Sequence, residues 1–299
     1  MLDLAILAEV LSGREMDSVG SLSPMDGPKK MTKWSELRSR RPEWFKASQK
    51  QINVWHHSEA VQSLSARRYA EGLAHLQELA SSLPYFHDGL RRKRIDAAIQ
   101  LAKWDIARSD LATLRNKIDT PRARYELALL SLLAHQTDEY ARLCTDGMKP
   151  SSGESNRNTP QSRFWDLWSC VLALNALSDY SQAVQFSRQL VELEPTNPQF
   201  VQCLGGLLLR AGLYEEALTF LDKSIQLAAS QTTSVSYSNY LLAITHQKFD
   251  HPDEAKRWLE KANTVADEEL TAGDSVAWNR RGTIELLRRE AESLIRPSE

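Results

Sequence analysis

The chain has 299 residues, 42% hydrophobic and 25% charged, with a formal net charge of −2. That composition supports a folded core, allows two compact domains or one elongated array, and supplies no bulk attraction to nucleic acid. Three cysteines (Cys144, Cys170, Cys203) without CxxC or CxxH spacing argue against a disulfide framework or a zinc site, and no run reaches 18 apolar residues, so no segment reads as membrane-spanning.

The first segment, MLDLAILAEVLSGRE, reads as a short amphipathic helix. Asp3 and Glu9 interrupt it and no basic run precedes it, unlike a signal peptide. Between Pro28 and Lys50 stand Lys29, Lys30, Lys33, Arg38, Arg40, Arg41, Lys46 and Lys50 against Glu36 and Glu43. A basic patch of this kind can bind phosphate, but the favoured reading is a solvated linker helix whose Trp34 and Trp44 pack onto the first repeat of the chain. Residues 1–52 are assigned to this N-terminal segment.

Residues 53–267 show a repeated spacing. The stretch PQFVQCLGGLLLRAGLYEEALTFLDKSI places Leu204, Gly205 and Leu208 on one helical face, a stop at Gly212, then Tyr214, Ala217, Leu218 and Leu221 on a second helix. Gly205 lets the partner helix approach, at about 1 kcal/mol of helix propensity, and Gly212 can take φ > 0 at the turn. Thirty-four residues earlier, Tyr180 and Ala183 occupy the places of Tyr214 and Ala217. Weaker copies share the frame: Tyr69 and Gly72; Trp104 and Ala107; Leu127, Ala128 and Ser131, with Tyr140 replacing the crossing Ala; and Asn239, Leu242, Ala243 and Ala255. The bulky Tyr140 is expected to open its helix pair locally. A polar insertion, residues 150–160, interrupts the array and reads as a mobile loop. Residues 268–299 read as a capping helix and tail, with Asp274 as N-cap and Val276, Leu286, Leu287 and Leu294 covering the last face.

The pattern resembles the tetratricopeptide repeat (TPR). That resemblance implies an all-α, right-handed TPR-like α-solenoid of about six helix hairpins with a C-terminal capping helix, because single hairpins bury both faces only by stacking. A finer resemblance rests on WSELRSRRPEWFKAS, INVWHHSEAVQSLSARRYAEGLAHLQEL, ARYELALLSLLAHQTDEYARLC and YLLAITHQKFDHPDEAKRWLEKA in that order. These segments are similar to the repeat region of planctomycete-type bacterial serine/threonine kinases and WD40-repeat proteins. It implies a cytoplasmic bacterial protein, and an accessory region serving a kinase or WD40 protein encoded nearby. GxGxxG, HRD-type and DFG segments are absent.

No catalytic, cofactor or metal residues are assigned. His56 and His57 are adjacent and diverge by about 100° on a helix, which makes a poor chelate, and HExxH spacing is lacking. The TPR resemblance instead implies a peptide groove lined by the first helices. Its positions carry Tyr125, Trp165, Trp168, Gln202, Arg210, Tyr237, Tyr240 and Lys248. Trp, Tyr and Arg are the usual energetic anchors of interfaces. The expected function is a noncatalytic interaction scaffold for a protein or peptide partner, without a membrane or nucleic-acid partner. The Lys and Asn of a carboxylate clamp are missing at the groove positions read.

Overall fold

The computed structural model describes residues 2–17, 20–116, 119–149, 159–228, 234–271 and 276–296. Most of the 150–160 insertion, the 229–233 connection and Asp274 lie outside the described residues. The chain divides into two compact units, Met1–Phe86 and His87–Glu299.

The first unit opens with α1 (Leu2–Ser12), an antiparallel pair β1 (Arg14–Met16) and β2 (Leu22–Pro24), and α2 (Gly27–Arg40). Gly13 takes φ +68, which turns the chain directly from helix into strand. Asp26 caps α2 by accepting the Lys29 N–H at 2.7 Å. Part of the basic face is paired within the unit: Lys33 with Glu9 at 2.7 Å, Lys29 with Glu15 at 2.5 Å, Arg41 with Asp3 at 2.7 Å. Hydrogen bonds from Arg41 and Lys33 hold the Asp3 and Glu9 carboxyls below their ordinary range. Trp34 packs edge-on to Phe45, at 5.0 Å, and Trp44 stays 41% exposed under Arg41. Leu4 and Leu11 of α1 are exposed.

The same unit ends in the first helix pair, α3 (Gln49–Ser65) and α4 (Tyr69–Ser82). Ser48 and Gln51 close a capping box at its start. A Cβ on Gly72 would come within 2.6 Å of Leu64, so only Gly permits this approach. His56 meets His75 of the facing helix, Nδ1 to Nδ1 at 2.9 Å, rather than its neighbour His57.

The second unit holds five more pairs: α5 (Asp88–Gln100) with α6 (Trp104–Arg115), α7 (Pro121–Leu133) with α8 (Thr137–Met148), α9 (Pro160–Ser169) with α10 (Ser181–Leu193), α11 (Pro198–Arg210) with α12 (Tyr214–Ala228), and α13 (Val235–Lys248) with α14 (Pro252–Leu270); α15 (Trp278–Ile295) comes last. The fold is all-α in its architecture, built of stacked helix pairs of the TPR-like solenoid type, and it ends in a distinct helix. The crossing residues Ala107, Ala183, Ala217 and Ala255 are fully buried. Gly205 faces Leu221, whose Cγ would lie 2.7 Å from an added Cβ.

One turn geometry joins the helices of most pairs. Arg67, Ala102, His135, Gly212 and Asp250 all adopt φ between 51 and 77°. The N–H of the next residue reaches back to a carbonyl five positions earlier: Arg68 to Ser63, Lys103 to Ala98, Gln136 to Ser131, Leu213 to Leu208, His251 to His246. This is the Schellman closure of a helix end. Four of the five left-handed positions carry residues with a Cβ, so Gly alone does not mark the turn.

The fourth pair departs from the pattern. The apolar run from Phe164 to Leu177 reads as one helix, yet α9 stops at Ser169. Tyr140 is the reason. Its hydroxyl donates to the Ser169 carbonyl at 2.9 Å and accepts the Ala173 N–H at 3.1 Å, taking groups a longer helix would use. The released Val171 carbonyl accepts two bonds from the Arg210 guanidinium, at 3.0 and 2.8 Å. Gly206 leaves room for the displaced Val171, which would stand 2.4 Å from a Cβ there. Tyr140 is buried; it stands at the crossing of its own pair, and its hydroxyl acts on the next helix, α9, as well.

Candidate functional site

The first helices of successive pairs run side by side, so an aromatic row crosses them. Tyr125 of α7 lies 5.0 Å from Trp165 of α9; Phe164 and Trp168 of α9 stack at 6.1 Å; Trp168 lies 5.7 Å from Tyr237 of α13. Gln202 of α11 is held beneath the row by donating to Ser238 Oγ at 2.7 Å and to the Ser234 carbonyl at 3.1 Å.

These residues line one cavity of about 260 Å³. Five of the eight residues expected in the groove meet there: Tyr125, Trp165, Trp168, Gln202 and Tyr237. Arg122 joins them with its guanidinium over the Trp165 ring, 5.7 Å from the centroid. Gln199, Asn279 and Arg280 complete the polar wall. Burial pushes the Tyr125 hydroxyl up to about 12 and raises that of Tyr237 further, so both act as neutral hydrogen-bonding groups at neutral pH.

The other three expected residues lie elsewhere. Tyr240 is fully enclosed; its hydroxyl donates to Asn263 at 2.7 Å and accepts from Arg288 Nε at 2.7 Å. The Arg210 side chain is completely buried, between the Val171 carbonyl and a two-pronged pair with Glu290 at 2.5 and 2.7 Å. Burial disfavours its charge, and the Glu290 carboxylate more than offsets this. Lys248 is exposed at the end of α13. Regular groove spacing placed Arg210 and Tyr240 on the surface; the broken α9 and the position of α15 draw both inside.

As a terminal helix α15 covers the last pair, and it reaches further. It packs on α13 and α14 and also reaches α7. Gly282 lies against Leu133 and Leu129, where a Cβ would stand at 3.1 and 3.4 Å. Thr283 bonds Tyr125 at 3.2 Å, and Tyr237 donates to the Arg280 carbonyl at 3.4 Å. Ile284, Leu287, Ala291 and Ile295 are buried along one face. The helix thus lies across the first helices, and the aromatic cavity is the space beside its first turn. Asn279 and Arg280 gave no sequence signal as site residues because α15 read as an end cap. Arg122 was legible in principle, one turn before Tyr125 on the same face.

Among the described residues no group of three or more His, Cys, Asp or Glu side chains is placed to hold a metal ion, and no helix is long and apolar enough to cross a membrane.

The class defined by the fold is the TPR-like α-solenoid. No family model matches the chain. Over 137 residues it is 26% identical to an N-terminal acetyltransferase A complex subunit-like protein of Schizosaccharomyces pombe; the match covers 45% of this chain and spans only 19% of that protein. Among solved structures, the apo form of RapI is similar with a TM-score of 0.51 at 11% identity, covering 98% of this chain and 87% of that one. The C-terminal part of a TPR repeat-containing protein from Cytophaga hutchinsonii gives 0.39 at 16% identity, covering 80% of this chain and 95% of that one. The RapI likeness is one of fold alone.

Proposed function

We propose that this chain is a noncatalytic protein-interaction scaffold that holds a short segment of a partner in the aromatic cavity between α7, α9, α11, α13 and α15. The observation that carries it is the convergence of Tyr125, Trp165, Trp168, Gln202 and Tyr237 from four separate helices on one open cavity. Trp165 and Tyr237 are partly exposed there, over the buried Tyr125, Trp168 and Gln202, and Trp and Tyr are the usual anchors of such interfaces. With α15 across the first helices, the partner engages one end of the groove rather than its whole length. The three free cysteines are all buried, which suits a reducing compartment, and the cytoplasm is the proposed location.

Affinity capture tests the reading. The wild-type chain retains a partner from native lysate, Trp165→Ala loses it, and Lys248→Ala keeps it, with matched circular dichroism spectra for all three. Equal capture by Trp165→Ala and wild type overturns it. The order of segments similar to the planctomycete-type kinase and WD40 proteins supports a second reading, an accessory region for such a protein. Co-purification with a kinase or WD40 protein encoded beside it would decide for that reading.

A further inference from the structure

We infer that His246 and His251 form a two-histidine site for a zinc-like divalent cation across the turn between α13 and α14. The turn itself builds the site. Asp250 takes φ 61, and the His251 N–H closes the end of α13 on the His246 carbonyl at 2.9 Å. This closure fixes the two histidine backbones against each other and brings their rings together. The Nδ1 atoms lie 3.4 Å apart, with the ring centroids at 5.7 Å. The same turn recurs with Ser63 and Arg68, Ala98 and Lys103, Ser131 and Gln136, and Leu208 and Leu213 in these two places. In the first of these the side chains also meet, Arg68 donating to Ser63 Oγ at 3.5 Å. Among the five turns, that between α13 and α14 alone carries an imidazole at both places.

The separation suits a metal. Two zinc–nitrogen bonds of about 2.0–2.1 Å at a tetrahedral angle place their nitrogens about 3.3–3.4 Å apart. His251 is exposed and His246 half-buried, so an ion from solvent reaches both. Burial, and then the neighbouring His251, hold the His246 imidazole below its ordinary range, and the neutral ring is the form that ligates. The carboxylates of Glu254 on α14 and Asp222 on α12 act on His246 in favour of a cation, against the Arg257 guanidinium. Phe249 packs against the His251 ring at 4.9 Å. Among the described residues no third His, Cys, Asp or Glu completes the set, so water fills the remaining positions. His56 and His75 form a closer Nδ1 pair, at 2.9 Å. That is hydrogen-bond length between two half-buried rings, with Trp55 5.1 Å from His75, so a shared proton holds that pair.

The test is calorimetric titration of the full chain, first stripped with a chelator, with zinc chloride at neutral pH. One site is expected. His246→Gln and His251→Gln should each weaken it at least about 10-fold, because each leaves a single-point ligand. His56→Gln should leave the affinity unchanged, and magnesium, which takes oxygen ligands, should not compete. Zinc should raise the thermal midpoint of the wild type and not that of His251→Gln. Circular dichroism of the metal-free variants checks their fold; should His246→Gln unfold, the exposed His251→Gln carries the test. No binding up to millimolar zinc overturns the inference. So does binding that survives His251→Gln, or that His56→Gln abolishes.

Discussion

Ala102 has a backbone φ of 51°, a conformation that an L-residue with a Cβ enters at a cost of about 1–2 kcal/mol. The next N–H, from Lys103, still closes the helix by reaching the Ala98 carbonyl at 2.8 Å, so the turn geometry is imposed by the packing of α5 on α6 and not by the residue. Gly212 sits in the same place with φ +77, and nothing lies within 4 Å of where its Cβ would be. The pair therefore makes a controlled comparison of backbone strain without steric clash. Ala102→Gly should stabilise the protein by about 0.5 kcal/mol, the relief of strain being partly offset by the greater freedom of Gly in the unfolded chain. Gly212→Ala should destabilise it by about 1 kcal/mol. Urea unfolding of both variants checks the opposite signs; shifts of the same sign would mean that the turn does not set the strain. Of the five left-handed turn residues, only Gly212 was legible in the sequence. Arg67 and Ala102 carry no composition signal for the conformation they adopt, and His135 and Asp250 only the weak one of residue types that enter αL more often than most, because the αL position is chosen by tertiary contact.

At the scale of the helix, the crossing alanines and their spacing predict the pairs, because close packing leaves room for little else at Ala107, Ala183, Ala217 and Ala255. The same periodicity mistakes the length of α9. Nothing local distinguishes the run after Ser169 from a buried helix; the information lies in Tyr140 and Arg210, which are distant in sequence. Periodicity likewise places α15 as an amphipathic helix without saying that Glu290 must meet Arg210. That pair allows a sharp measurement. Glu290→Gln removes the counter-charge from a guanidinium with no solvent access and should cost about 3–5 kcal/mol. Arg210→Met with Glu290→Leu should recover part of that loss, because no charge remains buried. Recovery will be incomplete, since the Val171 carbonyl loses both of its Arg210 donors. A double mutant as unstable as Glu290→Gln would show that the bonds to Val171, and not the ion pair, hold α15 and the end of α9 together.

Across the whole molecule, the continuous hydrophobic core runs from Tyr125 to Ile295, within the second unit. Helix α15 contributes Ile284, Leu287, Ala291 and Ile295 to it, besides the partner of Arg210. Each such side chain is worth about 1–3 kcal/mol when fully buried. A chain ended at Thr271 would expose the faces these residues cover on α13, α14 and α7 and leave Arg210 buried without its carboxylate. Calorimetry should then show the thermal midpoint of the second unit falling by about 10 °C or more, since a unit of this size moves about 2–4 °C per kcal/mol. A chain begun at His87 lacks the whole first unit, including the α1–α2 ion pairs, but loses nothing from that core. Its calorimetric midpoint is that of the second unit by itself, against which the loss of α15 is read. The contrast separates two accounts of α15. If it only covered one end of an array, its removal would resemble the loss of any terminal element. As a helix laid across the array from α13 to α7, it ties together pairs far apart in sequence, and its loss should also broaden the transition as the remaining pairs lose their common partner. A narrow transition at an unchanged midpoint after truncation at Thr271 would refute that role and with it the picture of α15 as a fixed wall of the cavity.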